Sequence, residues 1–371
     1  MKLSVASSEL LKALTKASGV VPSRSTLPIL ENYLFDLSRD NLKITATDLE
    51  VSITTSLIVK GEENGKVAIP AKRLIETIRA LPATDLIFST DIGSKKVTMT
   101  TKNGEYRLAS ESSEDYPVVS VPKTDGELAL ERDDLMRIIN QTAFAVSTDE
   151  LRPAMMGVLF QIKRGEIRAV ATDGHRLVRI ASSAISSAKI ERDVIIPAKA
   201  LNILAKSLEE KSSSISIDES QAVFNFGSTV LISRLIAEKY PNYESVIPND
   251  NDKQLLVNKN ELLQSVRRIA LYASSTTHQI RFSLKKNSLT LSSEDIDFGS
   301  EASENLTCDY SAEGMDIGFN ANYVVDMLSH LDMDEVIFLF STPTRAGIVK
   351  PAKQKEGEDL LMLVMPVRLN T

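Results

Sequence analysis

A chain of 371 residues exceeds what one ordinary core holds, and 43 Lys and Arg against 50 Asp and Glu leave a net charge of −7. That balance argues against a protein that coats nucleic acid with a uniformly basic surface; the single cysteine, Cys308, excludes intrachain disulfides and multi-thiolate metal sites. No apolar run is long enough for a membrane helix, and Met1–Ala6 lacks the long apolar stretch of a signal peptide, so the expectation is a cytoplasmic protein.

In chain order, a short alternating strand leads into a helix over Glu9–Lys16. Leu10, Leu14 and Ala17 form one apolar stripe on it, and Ser7 or Ser8 is placed to cap it. Strand patterns such as Tyr33–Leu37 follow, with Ala46-Thr47-Asp48 between them. A second helix starts after Ile69-Pro70, where the missing proline N–H has no partner to lose, and a strand over Tyr106–Ser110 closes the unit. The order then repeats. Asp134–Gln141 is a helix with acids Asp133 and Asp134 favouring its dipole, Val158–Ile162 a strand, and Ala171-Thr172-Asp173 an echo of the earlier string. Val194–Leu208 repeats Val67–Leu81, Tyr240-Pro241 repeats Tyr116-Pro117, and Val230–Arg234 closes the second round. The third runs through a helix over Glu261–Arg268 with Asn258 at capping-box spacing, a strand over Ile280–Leu284, a helix after Phe319-Asn320, and a strand over Leu360–Val364.

A period of roughly 125 residues is too long for a solenoid unit and long enough for each copy to bury its own core. Polar breaks at Val121–Glu127 and Ile247–Lys253 set the expected domains at 1–123, 124–249 and 250–371. Strand, helix, strands, helix, strands reads as α+β: three repeated domains, each with two helices packed on antiparallel sheet.

Basic residues recur opposite the apolar stripes. Lys12 and Lys16 in the first copy match Arg137 and Gln141 in the second and Gln264 and Arg268 in the third, with no acid among them. On the second helices Lys72 and Arg79 share a face, as do Lys199 and Lys206, whereas the third copy has Asn322 and Ser329 there, with Asp326 nearby. Two readings stand: a merely solvated face, or loose phosphate contact without base reading, because no aromatic stacking platform accompanies the cations.

Enzyme chemistry finds little support. His175, His278 and His330 lack metal-ligand spacing, and no nucleotide-binding or nucleophile motif is present. Asp173 and His175 resemble an acid/base pair, yet Asp173-Gly174 is a turn signature and the first copy has Asp48-Leu49 without a histidine.

Ala171–Leu177, Ile196–Lys199, Phe319–Tyr323 and the ending Val364–Leu369, in this order and with three repeats, resemble the bacterial DNA polymerase III beta subunit family, the replicative sliding clamps, from end to end. The resemblance implies a head-to-tail homodimer, a closed ring with pseudo-sixfold symmetry around double-stranded DNA, helices lining the hole, no cofactor, no metal and no intrinsic catalysis. It implies DNA contacts from Lys12, Lys16, Arg24, Lys72, Arg73, Arg79, Arg137, Arg152, Lys199, Lys206 and Arg268, with Pro153-Ala154 replacing an aromatic pair common in relatives. Tyr106 and Leu108 are expected to meet Leu271 and Tyr272 of a second copy. A pocket for partner peptides is implied at Thr172, Gly174, His175, Arg176, Leu177, Pro241, Val246, Asn320 and Tyr323. Leu363, Val364, Met365, Pro366, Val367 and Arg368 complete it. Its expected partners are the replicative polymerase alpha subunit, the clamp loader, repair polymerases, and mismatch-repair and ligase proteins. Two rivals stay open: a sequence-specific DNA-binding regulator, and a hydrolase using Asp173 and His175.

Overall fold

Alternating apolar residues ahead of an amphipathic stripe produce the same opening in each copy of the computed structural model, which describes residues 1–91, 93–121, 126–183 and 191–369. The first copy comprises β1 (Lys2–Ala6), α1 (Ser7–Ser18), β2 (Asn32–Ser38), β3 (Asn41–Thr47), β4 (Val51–Ile58), β5 (Lys60–Glu63), β6 (Gly65–Pro70), α2 (Ala71–Ala80), β7 (Asp85–Asp91), β8 (Lys96–Thr100) and β9 (Glu105–Ala109). The second comprises β10 (Glu127–Glu131), α3 (Arg132–Thr142), β11 (Gly157–Lys163), β12 (Glu166–Thr172), β13 (Arg176–Ser182), β14 (Arg192–Pro197), α4 (Ala198–Ser207), β15 (Ser212–Ile217), β16 (Gln221–Phe226) and β17 (Thr229–Arg234). The third comprises β18 (Lys253–Asn258), α5 (Lys259–Ala270), β19 (Gln279–Lys285), β20 (Ser288–Asp295), β21 (Ser300–Thr307), β22 (Asp309–Tyr310), β23 (Met315–Asn320), α6 (Ala321–Ser329), β24 (Glu335–Phe340), β25 (Gly347–Pro351) and β26 (Glu358–Val364).

Leu10, Leu14 and Ala17 of α1 are fully buried, as the stripe predicts, and each leucine contributes about 2 kcal/mol of burial. The expected serine cap is corrected. Ala6 precedes α1 without a side-chain cap, and the Ser7 hydroxyl instead donates to the Pro82 carbonyl and accepts from the Thr84 N–H, tying the helix start to a distant loop. Asn258 does cap α5, its Oδ1 accepting from the Glu261 N–H at 3.0 Å. The expected boundary at 123/124 lies outside the described residues.

The chain forms two compact units, and neither is contiguous in sequence. One unit, Met1–Asp133 with Lys199–Leu235, holds a five-stranded sheet, β5-β1-β7-β8-β9, and an eight-stranded sheet, β10-β15-β16-β17-β4-β3-β2-β6. Phe35 and Phe88, one on each sheet, stack with centroids 5.4 Å apart at its core. The other unit, Asp134–Ala198 with Ile236–Thr371, holds a nine-stranded sheet, β14-β11-β12-β13-β26-β25-β24-β18-β22, and a four-stranded sheet, β21-β20-β19-β23. Phe282, Phe319, Phe338 and Phe340 cluster in its core.

The repeats therefore share sheets. β17 of the second copy pairs with β4 of the first, Leu231 opposite Ile53, and β26 of the third pairs with β13 of the second, Met362 opposite Val178. These are the same junction made twice. Cross-strand partners run Leu3, Phe88, Met99, Tyr106 in the first copy; Leu128, Ile215, Phe224, Leu231 in the second; and Leu255, Phe338, Val349, Met362 in the third. Leu231 and Met362 are 0% exposed, covered by the strand beyond them, whereas Tyr106 on the edge strand β9 is 37% exposed.

The repeated short strings acquire physical reasons. Tyr116 and Tyr240 are buried and donate to the carbonyls of Thr45 and Val170, equivalent strand positions, each at 3.3 Å. Asp48 Oδ1 accepts from the N–H groups of Glu50 and Val51, and Asp173 Oδ1 from those of His175 and Arg176, the same Asx turn joining two strands.

Candidate functional site

The β12–β13 turn lies beside α6 within one compact unit, and its residues divide into frame and face. Thr172 is part of the frame: its hydroxyl donates to the Arg176 carbonyl at 2.6 Å and accepts from the Gly174 N–H at 3.0 Å. Gly174 has φ +90°, the left-handed region that the turn requires. Arg176, expected in the pocket, is also frame. Its Nε donates to Asp173 at 3.0 Å, one Nη to Asp326 at 2.5 Å and the other to the Phe144 carbonyl at 2.9 Å, leaving the side chain 10% exposed. Asp173 is thereby committed to the turn and to Arg176 rather than to the His175 ring, which stacks on Tyr323, so the acid/base pair is not assembled.

Leu177 and Leu363 face each other across β13 and β26 and pack with Leu159, Val170, Ile195, Tyr240, Tyr243 and Ala346 into one buried cluster. Val364 is buried as well. Around this floor, Gly174, His175, Pro241, Val246, Met365 and Arg368 are exposed, and Asn320, Tyr323, Pro366 and Val367 are half-buried. An apolar floor with an adaptable methionine and polar groups at its margin suits a short peptide of mixed character. Asn320 uses its Oδ1 to cap α6 through the Asn322 N–H.

The tail after β26 is anchored rather than frayed. The Met365 N–H donates to the His175 carbonyl at 2.8 Å and the Val367 N–H to the Gly318 carbonyl at 2.9 Å. Gly318 permits this approach, since a Cβ there would lie 2.7 Å from the Val367 carbonyl oxygen. Sequence reasoning missed Gly318, because nothing local in Ile317-Gly318-Phe319 signals a strand arriving from the far end of the chain. It also missed Phe144 and the bond that Arg176 donates to Asp326; the hint was an acid on the helix face that is basic in the other two copies.

The expected DNA-contacting cations separate into two groups. Arg24, Lys72, Arg73, Arg79 and Lys206 are exposed with no carboxylate partner among the described residues. The others are paired with carboxylates. Lys12 pairs with Glu9, Lys199 with Asp48, Arg152 with Asp149, and Arg268 with Glu304, all with side chains at least 43% exposed. The pairs of Lys12 with Glu9 and Arg152 with Asp149, exposed on both sides, contribute little and exchange readily for another anion, whereas Asp48 and Glu304 are the less exposed partners of Lys199 and Arg268. Lys16, 15% exposed, is held by Glu209 and Glu210, and Arg137, 16% exposed, by Glu358 and Asp332, so these two serve the fold. Arg152 also donates to the Asp173 carbonyl at 3.1 Å, placing it on the β12–β13 turn.

Leu271 and Tyr272, just past α5, are 82% and 43% exposed, and Leu108 on β9 is half-buried. β9 and β21 each end a sheet with one ladder unpaired.

Three similar α+β domains joined through shared sheets, with open strand edges, define a multidomain fold of the clamp class. Family models for the DNA polymerase III beta subunit match end to end: the N-terminal domain over residues 1–120, the central domain over 129–242 and the C-terminal domain over 244–368. The beta sliding clamp of Chlamydia muridarum is 30% identical over the full length of both chains, and that of Pseudomonas aeruginosa 28%. A crystal structure of the Pseudomonas aeruginosa sliding clamp matches with TM-score 0.92 at 26% identity, covering all of both chains. That of the Bartonella birtlesii clamp bound to griselimycin, also fully covered, matches with TM-score 0.94 at 29% identity. The chain belongs to the DNA polymerase III beta subunit family.

Proposed function

We propose that this protein is a DNA sliding clamp: two copies close head to tail into a pseudo-sixfold ring around duplex DNA and tether a polymerase for processive synthesis. The observation that carries this reading is Tyr106. It occupies the place where Leu231 and Met362 are sealed by a neighbouring strand, so an identical junction, made by β21 of a second copy, would complete the series. Continuing the register sets Tyr106 opposite Ala302, the counterpart of Ile53 and Val178, with Leu108, Leu271 and Tyr272 supplying further apolar surface. Two copies used in this way leave no sheet edge of this kind unpaired, which is the condition for closure.

Within such a ring, Arg24, Lys72, Arg73, Arg79 and Lys206 would meet phosphates directly, Lys12 and Arg152 by exchanging an exposed carboxylate, and Lys199 and Arg268 by leaving the less exposed Asp48 and Glu304. A modest set of cations in a chain of net charge −7 favours sliding over tight binding. The groove framed by Thr172–Leu177 and Leu363–Arg368 would receive peptide segments of the polymerase alpha subunit, the clamp loader, repair polymerases, and mismatch-repair and ligase proteins, one at a time. Griselimycin would occupy the same groove. The ring raises the polymerase's effective concentration at the primer end and supplies no catalysis, cofactor or metal chemistry itself. Its place of work is the cytoplasm at the nucleoid, and its domains divide at 123/124 and 249/250.

The test is topological. Clamp loaded onto nicked circular DNA should persist through gel filtration and leave within seconds once the circle is cut. Equal retention on circular and linear DNA would overturn the ring.

A further inference from the structure

The groove is backed by a stack of side chains that no expectation from sequence included. The His330 ring lies parallel to Phe144, centroids 4.0 Å apart and planes 10° apart. On the other face of Phe144 sits the Arg176 guanidinium, 5.3 Å from the ring centroid, and the same guanidinium lies 4.8 Å from the centroid of Tyr323. Tyr323 then stacks on His175, centroids 6.0 Å apart at 15°. Of these five side chains, His175 is the exposed end, at the groove.

Asp326 locks the column from two directions. Its carboxylate accepts from Arg176 at 2.5 Å, and its backbone carbonyl lies 2.7 Å from His330 Nδ1, which therefore donates. Asp326 stands three residues after Tyr323 on α6, so both reach Arg176 from one helix face. Gln141 on α3 fixes the far end by donating to the His330 carbonyl at 2.5 Å.

We propose that Phe144, Asp326 and His330 are positioning residues for the partner-binding groove: they hold Arg176, and Arg176 holds the Tyr323 ring in the one orientation that stacks under His175. Arginine and tyrosine otherwise keep several rotamers, and a groove whose margin is already ordered binds more tightly because less is immobilised on binding. Arg176, with its Nε and both Nη groups bonded inside the frame, acts on a ligand only through Tyr323 and His175.

This inference rests on the groove being the partner site, and one set of variants separates the two. Griselimycin is titrated calorimetrically into the full-length protein and into His175→Ala, Phe144→Leu, Asp326→Asn and His330→Phe, and the His175 ring proton resonance is followed by NMR in every one of them except His175→Ala. Expected are a loss of about tenfold in affinity for His175→Ala and about fivefold for Phe144→Leu and Asp326→Asn, with His330→Phe, which keeps a stacking ring, close to wild type. The His175 resonance, displaced by the Tyr323 ring, should shift in Phe144→Leu and Asp326→Asn and stay put in His330→Phe. A purely structural role would lower thermal stability and leave that resonance unmoved. Phe144→Leu and Asp326→Asn that bind like wild type with an unmoved resonance, while His175→Ala loses binding, overturn the positioning role. Wild-type binding by His175→Ala overturns the groove assignment instead, and the resonance still decides the column. Should Phe144→Leu fail to fold, Asp326→Asn, which keeps the side-chain shape, carries the test alone.

Discussion

Charge placement decides what individual residues can do. Arg137 and Arg176 both came forward as ligand-contacting cations, and both are buried among carboxylates that they must neutralise. Removing either would strand a shielded acid, Glu358 or Asp173, a cost of about 3 kcal/mol, so loss of function in such variants would report on folding. Glu304 on β21 is the opposite case. Hydrogen bonds from Arg268 and Ser265 hold its carboxyl down to about 2 from an ordinary value of 4.5, although burial works against them. Because the folded value is the lower one, the stability this pair provides is complete above pH 4.5 and disappears as pH falls toward 2. Glu304→Gln should therefore flatten the stability profile across that window while leaving the profile above pH 5 about unchanged in slope, measured by denaturant unfolding at stepped pH. An identical slope in both proteins below pH 4.5 would show that the pair carries no linkage.

Among the elements, the tail after β26 depends on a contact made by hydrogen alone at Gly318. Gly318→Val would drive a side chain into the Val367 carbonyl and Leu369 and displace residues 365–369, while β23 keeps its core face. The expected outcome is a loss of griselimycin binding of about tenfold or more, measured by calorimetry, with the sedimentation mass unchanged. Unchanged binding would mean that the tail contributes nothing to the groove. This site was only half legible in sequence. Helices, strands and the Asx turns at Asp48 and Asp173 follow from local spacing, because hydrogen bonding within a few residues dictates them. Whether Arg176 faces a ligand or a neighbour depends on Phe144 and Asp326, which are distant in sequence, and no periodicity encodes that. The Ser7 cap failed for the same reason, since the Pro82–Thr84 loop competes for its hydroxyl.

For the whole molecule, the repeat was legible and the sharing of sheets was not, since strand spacing reveals where strands are and not which edges meet. If Tyr106 completes a third junction, wild-type protein should sediment at micromolar concentration at twice its 40.8 kDa chain mass. Tyr106→Glu, which puts a charge into an apolar junction opposite Ala302, should weaken that dimer by roughly thirtyfold or more and shift it toward monomer. A wild-type monomer, or a variant that sediments unchanged, would refute the junction.

The interleaving of the two units along the chain also bears on how the protein is made. The unit holding Met1–Asp133 is complete once Leu235 has been synthesised, so it can fold while the chain is still growing. The segment Asp134–Ala198 cannot follow suit, because β13 waits for β26 to leave the ribosome, on the order of ten seconds later at ordinary rates of synthesis. During that interval Leu177, Val178 and Ile180 form an unshielded strand edge on the nascent chain, which makes this stretch, rather than either terminus, the point at which a chaperone would be needed most.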